Sequence, residues 1–195
     1  MTSEVVPMTR SSQIIKAYLD EMRTTLTKLP LETIEQIVQV LKSARAQKKQ
    51  VFLFGNGGSA ATASHLAVDL TKGTIAPDKP RLRAIALTDN VPLISAWAND
   101  ASYEDIFSQQ LQTQVEPGDV VIGISGSGRS PNVLKALKLA KSVGATTIGL
   151  TGFDGGKMKD LVDLCVMVPD NSIEQVEDVH LMLGHVMSSC LRADC

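Results

Sequence analysis

The most informative segment of the sequence is VFLFGNGGSAATASHLAVDL, residues 51–70. It starts with an apolar run, Val51 to Phe54, passes through a glycine-rich turn at 55–59 and becomes helical over 60–72. Glycines let a backbone approach an anion closely, and the first turn of a helix offers unpaired N–H groups to it. The segment therefore predicts a buried strand that leads into a helix through a turn able to hold an anion.

Strand-like and helical segments alternate along the rest of the chain. The strand-like runs are short and almost entirely apolar, as is typical of strands covered on both faces of a parallel sheet. The alternation predicts an α/β fold, a doubly wound three-layer sandwich with a five-stranded parallel sheet, preceded by two N-terminal helices. We predict strands at 51–54, 83–87, 120–124, 146–150 and 164–168, and helices at 60–72, 91–97, 103–115, 131–143 and 173–192.

The N-terminal quarter of the sequence shows a helical pattern only. Residues 11–28 and the segment after Pro30 carry apolar side chains at helical spacing. We expect residues 1–195 to form a single domain, a length that suits one domain. Within it, residues 1–48 supply helices for packing and oligomerisation, and residues 49–195 form the α/β core.

Composition excludes several classes of protein. The chain has 19 basic and 21 acidic residues, a net charge of −2, so nucleic-acid binding has no global electrostatic support. Apolar residues make up 44% of the chain, which excludes intrinsic disorder, and no apolar run approaches the roughly 20 residues of a membrane helix. Cys165, Cys190 and Cys195 are odd in number and show no CxxC spacing, which favours free thiols. We expect a cytoplasmic protein without a nucleic-acid or membrane partner.

A second loop rich in glycine and serine follows the third predicted strand. Its sequence is Ser125-Gly-Ser-Gly-Arg-Ser130, and Pro131 then suits the first turn of a helix. Hydroxyls, backbone donors and a guanidinium make a good phosphate cradle, although a tight turn is the simpler interpretation of one such loop alone. Pro131 occupies the third glycine position of a dinucleotide fingerprint, and the sequence contains no P-loop motif. The predicted phosphate therefore belongs to a small metabolite.

The histidines give a second signal. His65 and Asp69 are four residues apart and share a helical face, and so do Glu177 and His185, eight residues apart. Two histidines and two carboxylates could bind zinc with four ligands, or with three ligands and a base. Each histidine alone is more typical of a hydrogen-bonded structural residue than of a metal ligand, and spacing does not say whether the two helices meet.

Taken together, these motifs resemble the sugar isomerase (SIS) domain family, and within it the bacterial phosphoheptose isomerases. The resemblance covers essentially the whole chain and rests on motifs in the family's order. They are Gly55 to Ser59, Ala63 to Leu70, Ala98 to Asp100, Gly118-Asp119, Ser125 to Ser130, Leu150 to Lys157, and the helix with Glu177, His180 and His185.

The resemblance implies a sugar-phosphate site, one zinc ion per subunit and a homotetramer with its sites at subunit contacts. It places zinc on His65, Asp69, Glu177 and His185. It places the substrate on Asn56, Gly57, Gly58, Ser59, Ser125, Gly126, Ser127 and Ser130, with Asn99 and Asp100 at the sugar hydroxyls and Asp69 and Glu177 beside them.

Two positions depart from the family pattern. The family's catalytic glutamate is Asp69 here, one methylene shorter, and its glutamine ligand is Glu177. The resemblance implies conversion of sedoheptulose 7-phosphate to D-glycero-D-manno-heptose 7-phosphate through an enediol(ate), a step that needs a base and an acid. We assign Asp69 as the base and His185 as the acid, with Glu177 as a reserve base.

Two other functions remain open at this point. One is a non-catalytic sugar-phosphate-binding SIS module of the type that associates with a replication initiator, which keeps the phosphate loops. The other is an isomerase for another sugar phosphate. Retention of both histidines and two carboxylates favours the enzyme over the binding module.

Overall fold

The computed structural model describes residues 9–193, so Cys195 lies outside the described residues. Two helices come first, α1 (Arg10–Leu26) and α2 (Leu31–Ala46). The Thr9 side chain accepts a hydrogen bond from the Ser12 amide and caps α1. Helix α2 buries a stripe of apolar residues against the sheet, whereas α1 leaves most of its apolar side chains exposed.

The sheet has five parallel strands, as predicted. They are β1 (Gln50–Gly55), β2 (Arg83–Ala86), β3 (Val120–Ile124), β4 (Thr146–Thr151) and β5 (Leu164–Met167), in the spatial order β2-β1-β3-β4-β5. The order changes direction between β1 and β3, and ligands of such sheets bind beyond the carboxyl ends of the strands at this switch point. The two loops singled out in the sequence follow β1 and β3. The fold therefore brings them to the same place.

Helices cover both faces and complete the three predicted layers. They are α3 (Gly58–Val68), α4 (Val91–Asp100), α5 (Ser108–Gln112), α6 (Pro131–Val143) and α7 (Ile173–Ala193). One apolar core lies between the sheet and α2, α3 and α7, and the other lies between the sheet, α5 and α6. The described residues include no helix long and apolar enough to cross a membrane.

Three predicted elements need correction. The helix expected at 103–115 is a 3₁₀ turn, Tyr103–Asp105, followed by the short α5. Ile106 and Phe107, which link the two elements, are both buried. The helix expected at 60–72 ends at Val68 and continues as a π-helical turn, Asp69–Gly73. Strand β2 is an edge strand that exposes one face, so it is not covered on both sides.

Candidate active site

The two glycine-rich loops meet at the switch point, and together they form what we call the cradle (residues 55–59 and 125–130). Gly55 pairs with Ile124 in the sheet, and a Cβ on Gly55 would lie 2.8 Å from the Ile124 carbonyl oxygen. Behind the first loop, Asn56 and Asn132 exchange amide hydrogen bonds of 2.9 and 3.0 Å. Tyr103 adds a third contact, since its hydroxyl donates to Asn56 Oδ1 at 3.1 Å. The first loop is thus tied to the helix layer that contains α6.

The backbone of the second loop is oriented by the segment that follows β4. The Gly126 carbonyl accepts hydrogen bonds from the Gly152 amide at 2.8 Å and from the Thr151 hydroxyl at 3.2 Å. The Gly128 carbonyl accepts from the amides of Lys157 and Met158 at 3.0 and 3.1 Å. In a planar trans peptide the N–H points away from the C=O, so fixing these carbonyls turns the next amides toward the opposite side.

Several donors of this loop are left free for a ligand. Among the described residues, the backbone amides of Gly126, Ser127 and Ser130 have no protein acceptor. The hydroxyls of Ser125 and Ser130 lie 2.9 Å apart, and Ser127 is exposed. Unpaired amides beside hydroxyls at the start of a helix suit a phosphate group.

Three of the four predicted metal ligands converge and form what we call the His–Asp cluster (His65, Asp69 and His185). The Nε2 atoms of the two histidines are 3.0 Å apart, and Asp69 Oδ2 lies 3.6 Å from His65 Nε2 and 3.5 Å from His185 Nε2. Helices α3 and α7 approach closely because Gly184 presents no side chain to Leu66, where a Cβ would lie 3.0 Å from Leu66 Cδ1. The two helices therefore do meet, which spacing alone left open.

The three donor groups of the cluster suit a cation with tetrahedral coordination. Ligands about 2.1 Å from zinc at tetrahedral angles are about 3.4 Å from one another, close to the three separations in the cluster. Asp69 Oδ2 is buried and has no hydrogen-bond partner. A buried carboxylate oxygen is normally paired, so a cation among these three groups would satisfy it.

Glu177 lies away from the cluster. Its carboxylate contacts the start of α3, where a Cβ on Gly58 would lie 2.4 Å from Glu177 Oε2. The candidate ligand atoms that lie within 4.8 Å of one another belong to His65, Asp69 and His185, and Glu177 is not among them. Glu177 instead places a carboxylate at the positive end of α3, beside the cradle.

Asn99 and Asp100 lie at the end of α4 and are exposed, and the Asn99 amide donates to Asp100 Oδ1 at 2.8 Å. Within the described part of this chain, neither has a hydrogen bond to the cradle or the cluster. The structure therefore does not bring these two predicted sugar ligands to the rest of the site in one subunit.

His180 is the third histidine of the sequence, and it is fully buried. Its Nε2 lies 3.2 Å from the Thr151 carbonyl oxygen, and burial lowers its pKa to about 4. It therefore stays neutral near pH 7 and connects α7 to the strand whose Thr151 hydroxyl holds Gly126. Thr151, Asn132 and Tyr103 were not predicted from the sequence to support the site. The motif Leu150 to Lys157 contained Thr151 but gave no sign of this role.

Comparisons with known proteins agree with this geometry. A family model described as "SIS domain" matches residues 16–152. The phosphoheptose isomerase of Paramagnetospirillum magneticum is 41% identical over 162 residues, which cover 83% of this chain and 84% of that protein. The structure of the phosphoheptose isomerase from Neisseria gonorrhoeae has a TM-score of 0.86 at 30% identity and covers 93% of this chain and 98% of that one. The corresponding structure from Francisella tularensis has a TM-score of 0.87 at 28% identity, with coverages of 95% and 100%.

Proposed function

The chain belongs to the SIS domain family, among its phosphoheptose isomerases, and from this premise we propose that it converts sedoheptulose 7-phosphate to D-glycero-D-manno-heptose 7-phosphate. It is an enzyme, a sugar-phosphate isomerase. The observation that carries the proposal is the placement of a phosphate-type cradle at one end of α3 and a His–Asp cluster further along the same helix. The cradle would hold the phosphate of the substrate, and the His–Asp cluster would act on its carbonyl group.

The distance between the two parts supports a seven-carbon substrate. Ser59 and His65 are six residues apart on α3, which corresponds to about 9 Å along the helix axis. An extended chain advances roughly 1.2 Å per bond, so the seven bonds from C2 of a heptulose 7-phosphate to its phosphorus span about 8 Å. A shorter sugar phosphate would reach the cluster less well.

We assign zinc, one ion per subunit, to His65, Asp69 and His185. When bound there, the ion would polarise the substrate's neighbouring carbonyl and hydroxyl oxygens. The fourth predicted ligand, Glu177, contacts the start of α3 rather than the cluster within this chain, so it is left out of this set and Asp69 is the proposed base.

Proton transfer between C1 and C2 falls to the side chains of the cluster. Asp69 is the base, which takes the proton from one carbon at its carboxylate. His185 is the acid: it gives a proton to O2 as the C1 proton leaves, and it takes the O1 proton back when Asp69 returns its proton to C2, which leaves the aldose. The free amides at Gly126, Ser127 and Ser130 anchor the remote phosphate and hold the reacting carbons in register.

We also propose that the active enzyme is a homotetramer whose sites are completed at subunit contacts. Ile14, Ile15 and Leu19 on α1 are each 60% exposed or more, and large exposed apolar side chains in a row are typical of interfaces. Residues 1–48 would supply this packing around the core of residues 49–195. A neighbouring subunit would then complete the site around Asn99 and Asp100.

The proposal is tested by proton NMR of sedoheptulose 7-phosphate in D₂O with zinc-loaded protein. We expect a new aldose anomeric signal and deuterium at the carbon next to the carbonyl. The His185→Ala variant should lose the signal, and Val186→Ala, a truncation of the next and partly exposed residue, should keep it. A substrate that binds without conversion, while fructose 6-phosphate is converted, would assign the enzyme to another sugar phosphate. Binding without conversion of either sugar would favour the non-catalytic module.

A further inference from the structure

A second cavity, on the outer side of α6, is lined mainly by cations. Its volume is about 290 Å³, near the lower end of the range of small-molecule pockets. It shares Arg129 with the cradle and no residue with the His–Asp cluster. The lining residues are Glu104, Arg129, Pro131, Leu134, Lys135, Lys138 and Lys157.

Two of the four cations are already neutralised by carboxylates. Arg129 pairs with Asp154 at 2.5 Å, and Lys135 pairs with Asp105 at 2.7 Å. These ion pairs lower the pKa of each carboxyl to about 2, so both acids stay charged.

Lys138 and Lys157 have no such compensation. Both are exposed, and among the described residues no acidic side chain lies within ion-pair distance of either. They come from different parts of the chain, Lys138 from the middle of α6 and Lys157 from the segment after β4. Two uncompensated ammonium groups that line one cavity favour a doubly charged anion such as a phosphate ester.

The other lining residues select the remainder of the ligand. Glu104 also lacks a cation partner among the described residues, and a carboxylate readily accepts hydrogen bonds from hydroxyl groups. Pro131 and Leu134 add a small apolar surface to the lining. This arrangement matches a phosphate at one end of a hydroxylated carbon chain.

We propose that this cavity is a second binding site, which takes a small phosphorylated polyol or sugar with its phosphate on Lys138 and Lys157 and its hydroxyls on Glu104. The proposal rests on the proposed function only in that the enzyme's substrate and product belong to this class of ligand. The site lies directly behind the cradle, because Arg129 is part of the second loop and the Lys157 amide donates to the Gly128 carbonyl at 3.0 Å. An occupant would therefore contact both segments that orient the cradle.

The test is calorimetric titration of the full-length protein with glycerol 3-phosphate. Wild-type protein should bind two equivalents per chain, one in the cradle and one in the basic cavity. The double variant Lys138→Gln/Lys157→Gln should lose one equivalent, with affinity about tenfold weaker for each charge-assisted hydrogen bond removed. The control Lys141→Gln/Lys159→Gln removes the same charge from the same two segments, at positions that do not line the cavity. It should keep both binding equivalents. In addition, Glu104→Gln should weaken the binding of glycerol 3-phosphate more than the binding of inorganic phosphate.

Two results would overturn the proposal: a single equivalent that sedoheptulose 7-phosphate displaces, or equal binding by the cavity variant and its control. The isomerase assay is read separately on the same proteins. A second equivalent that depends on Lys138 and Lys157 would support the cavity even in a protein that converted no sedoheptulose 7-phosphate. Conversely, isomerisation with one binding equivalent would leave the proposed function standing without the second site.

Discussion

The cradle and the His–Asp cluster lie along the same helix, α3, but they are built from different parts of the chain. The cradle presents backbone amides, whose direction is set by hydrogen bonds to Gly126 and Gly128 and by the register of the sheet. The cluster presents three side chains from two helices, and its geometry depends on how closely α3 and α7 pack. The cradle should therefore tolerate loss of one side chain but lose ligand binding when its backbone is distorted. The cluster should lose its function when one side chain is removed but tolerate a distortion of the cradle loop.

The sharpest test removes one charge from the cluster. Asp69→Asn should lower kcat/KM about 10³-fold, within the range typical for loss of a general base. It should also reduce zinc uptake, measured by atomic emission on dialysed protein, while affinity for sedoheptulose 7-phosphate measured by calorimetry changes little because the cradle is intact. The control, Asp69→Glu, keeps a carboxylate and should retain zinc. If Asp69→Asn stayed active and kept its zinc, Asp69 would be neither the base nor a zinc ligand.

The converse test bends the cradle. Gly128 has a φ of +62°, and a Cβ there would lie 2.1 Å from the Gly155 carbonyl oxygen. Because this is a backbone clash added to conformational strain, Gly128→Ala should cost about 3 kcal/mol or more in urea unfolding and abolish phosphate-ester binding. Protein that remains folded should still take up zinc at the cluster.

Gly144 provides the matched control for that substitution. Its φ is +90°, but the nearest atom to an added Cβ is 3.7 Å away, so Gly144→Ala tests strain without a clash. We expect a loss of about 1 kcal/mol and normal ligand binding. Equal destabilisation of the two variants would show that the contact between the loops does not hold the cradle.

A pH titration tests the buried residue that links the two regions through α7. Burial lowers the pKa of His180 from 6.5 to about 4, so the unfolded chain binds more protons between these values. The free energy of unfolding should fall as the pH decreases from about 6.5 to about 4, by up to about 3 kcal/mol, and His180 should add no pH dependence above that window. Unfolding curves of His180→Gln should lack this part of the slope. An unchanged slope would mean that His180 is not the group responsible.

The smallest expected effect is removal of one cradle side chain. Ser127→Ala should weaken phosphate-ester binding about tenfold, because the backbone amides remain. Ser142→Ala, at an exposed position of α6, is the control and should leave affinity unchanged. Unchanged affinity in Ser127→Ala would remove this hydroxyl from the site, and complete loss would mean that the cradle depends on side chains after all.

Much of the cradle could be predicted from the sequence because its determinants are local. The apolar run from Val51 and the glycines that follow it specify a strand and a turn within ten residues, and the run before Ser125 does the same. Parallel strands align their carboxyl ends, so both loops had to lie on one edge of the sheet. The bonds from Asn132 and Tyr103 to Asn56 were missed because they join segments far apart in the chain.

The cluster could be predicted only in part. The spacing of His65 and Asp69 fixed their common face, and the structure places their atoms 3.6 Å apart. Helical spacing gives a face but not a partner helix, so the contribution of His185 depended on the packing of α7. Helical spacing also places Glu177 on this face, but its carboxylate lies at the start of α3 in this chain, and its role as a ligand stays a prediction.

With the proposed zinc at Asp69, the oxygen that has no hydrogen-bond partner would make folding and cation binding a single linked equilibrium. A buried carboxylate oxygen without a hydrogen bond costs the folded chain free energy, and a cation that binds only the folded state returns it. Once the concentration of free cation exceeds its dissociation constant, each tenfold rise in that concentration should add about 1.4 kcal/mol to the free energy of unfolding. The melting temperature of this protein would then report the metal supply of its surroundings, and chelation would lower the abundance of the enzyme as well as its activity.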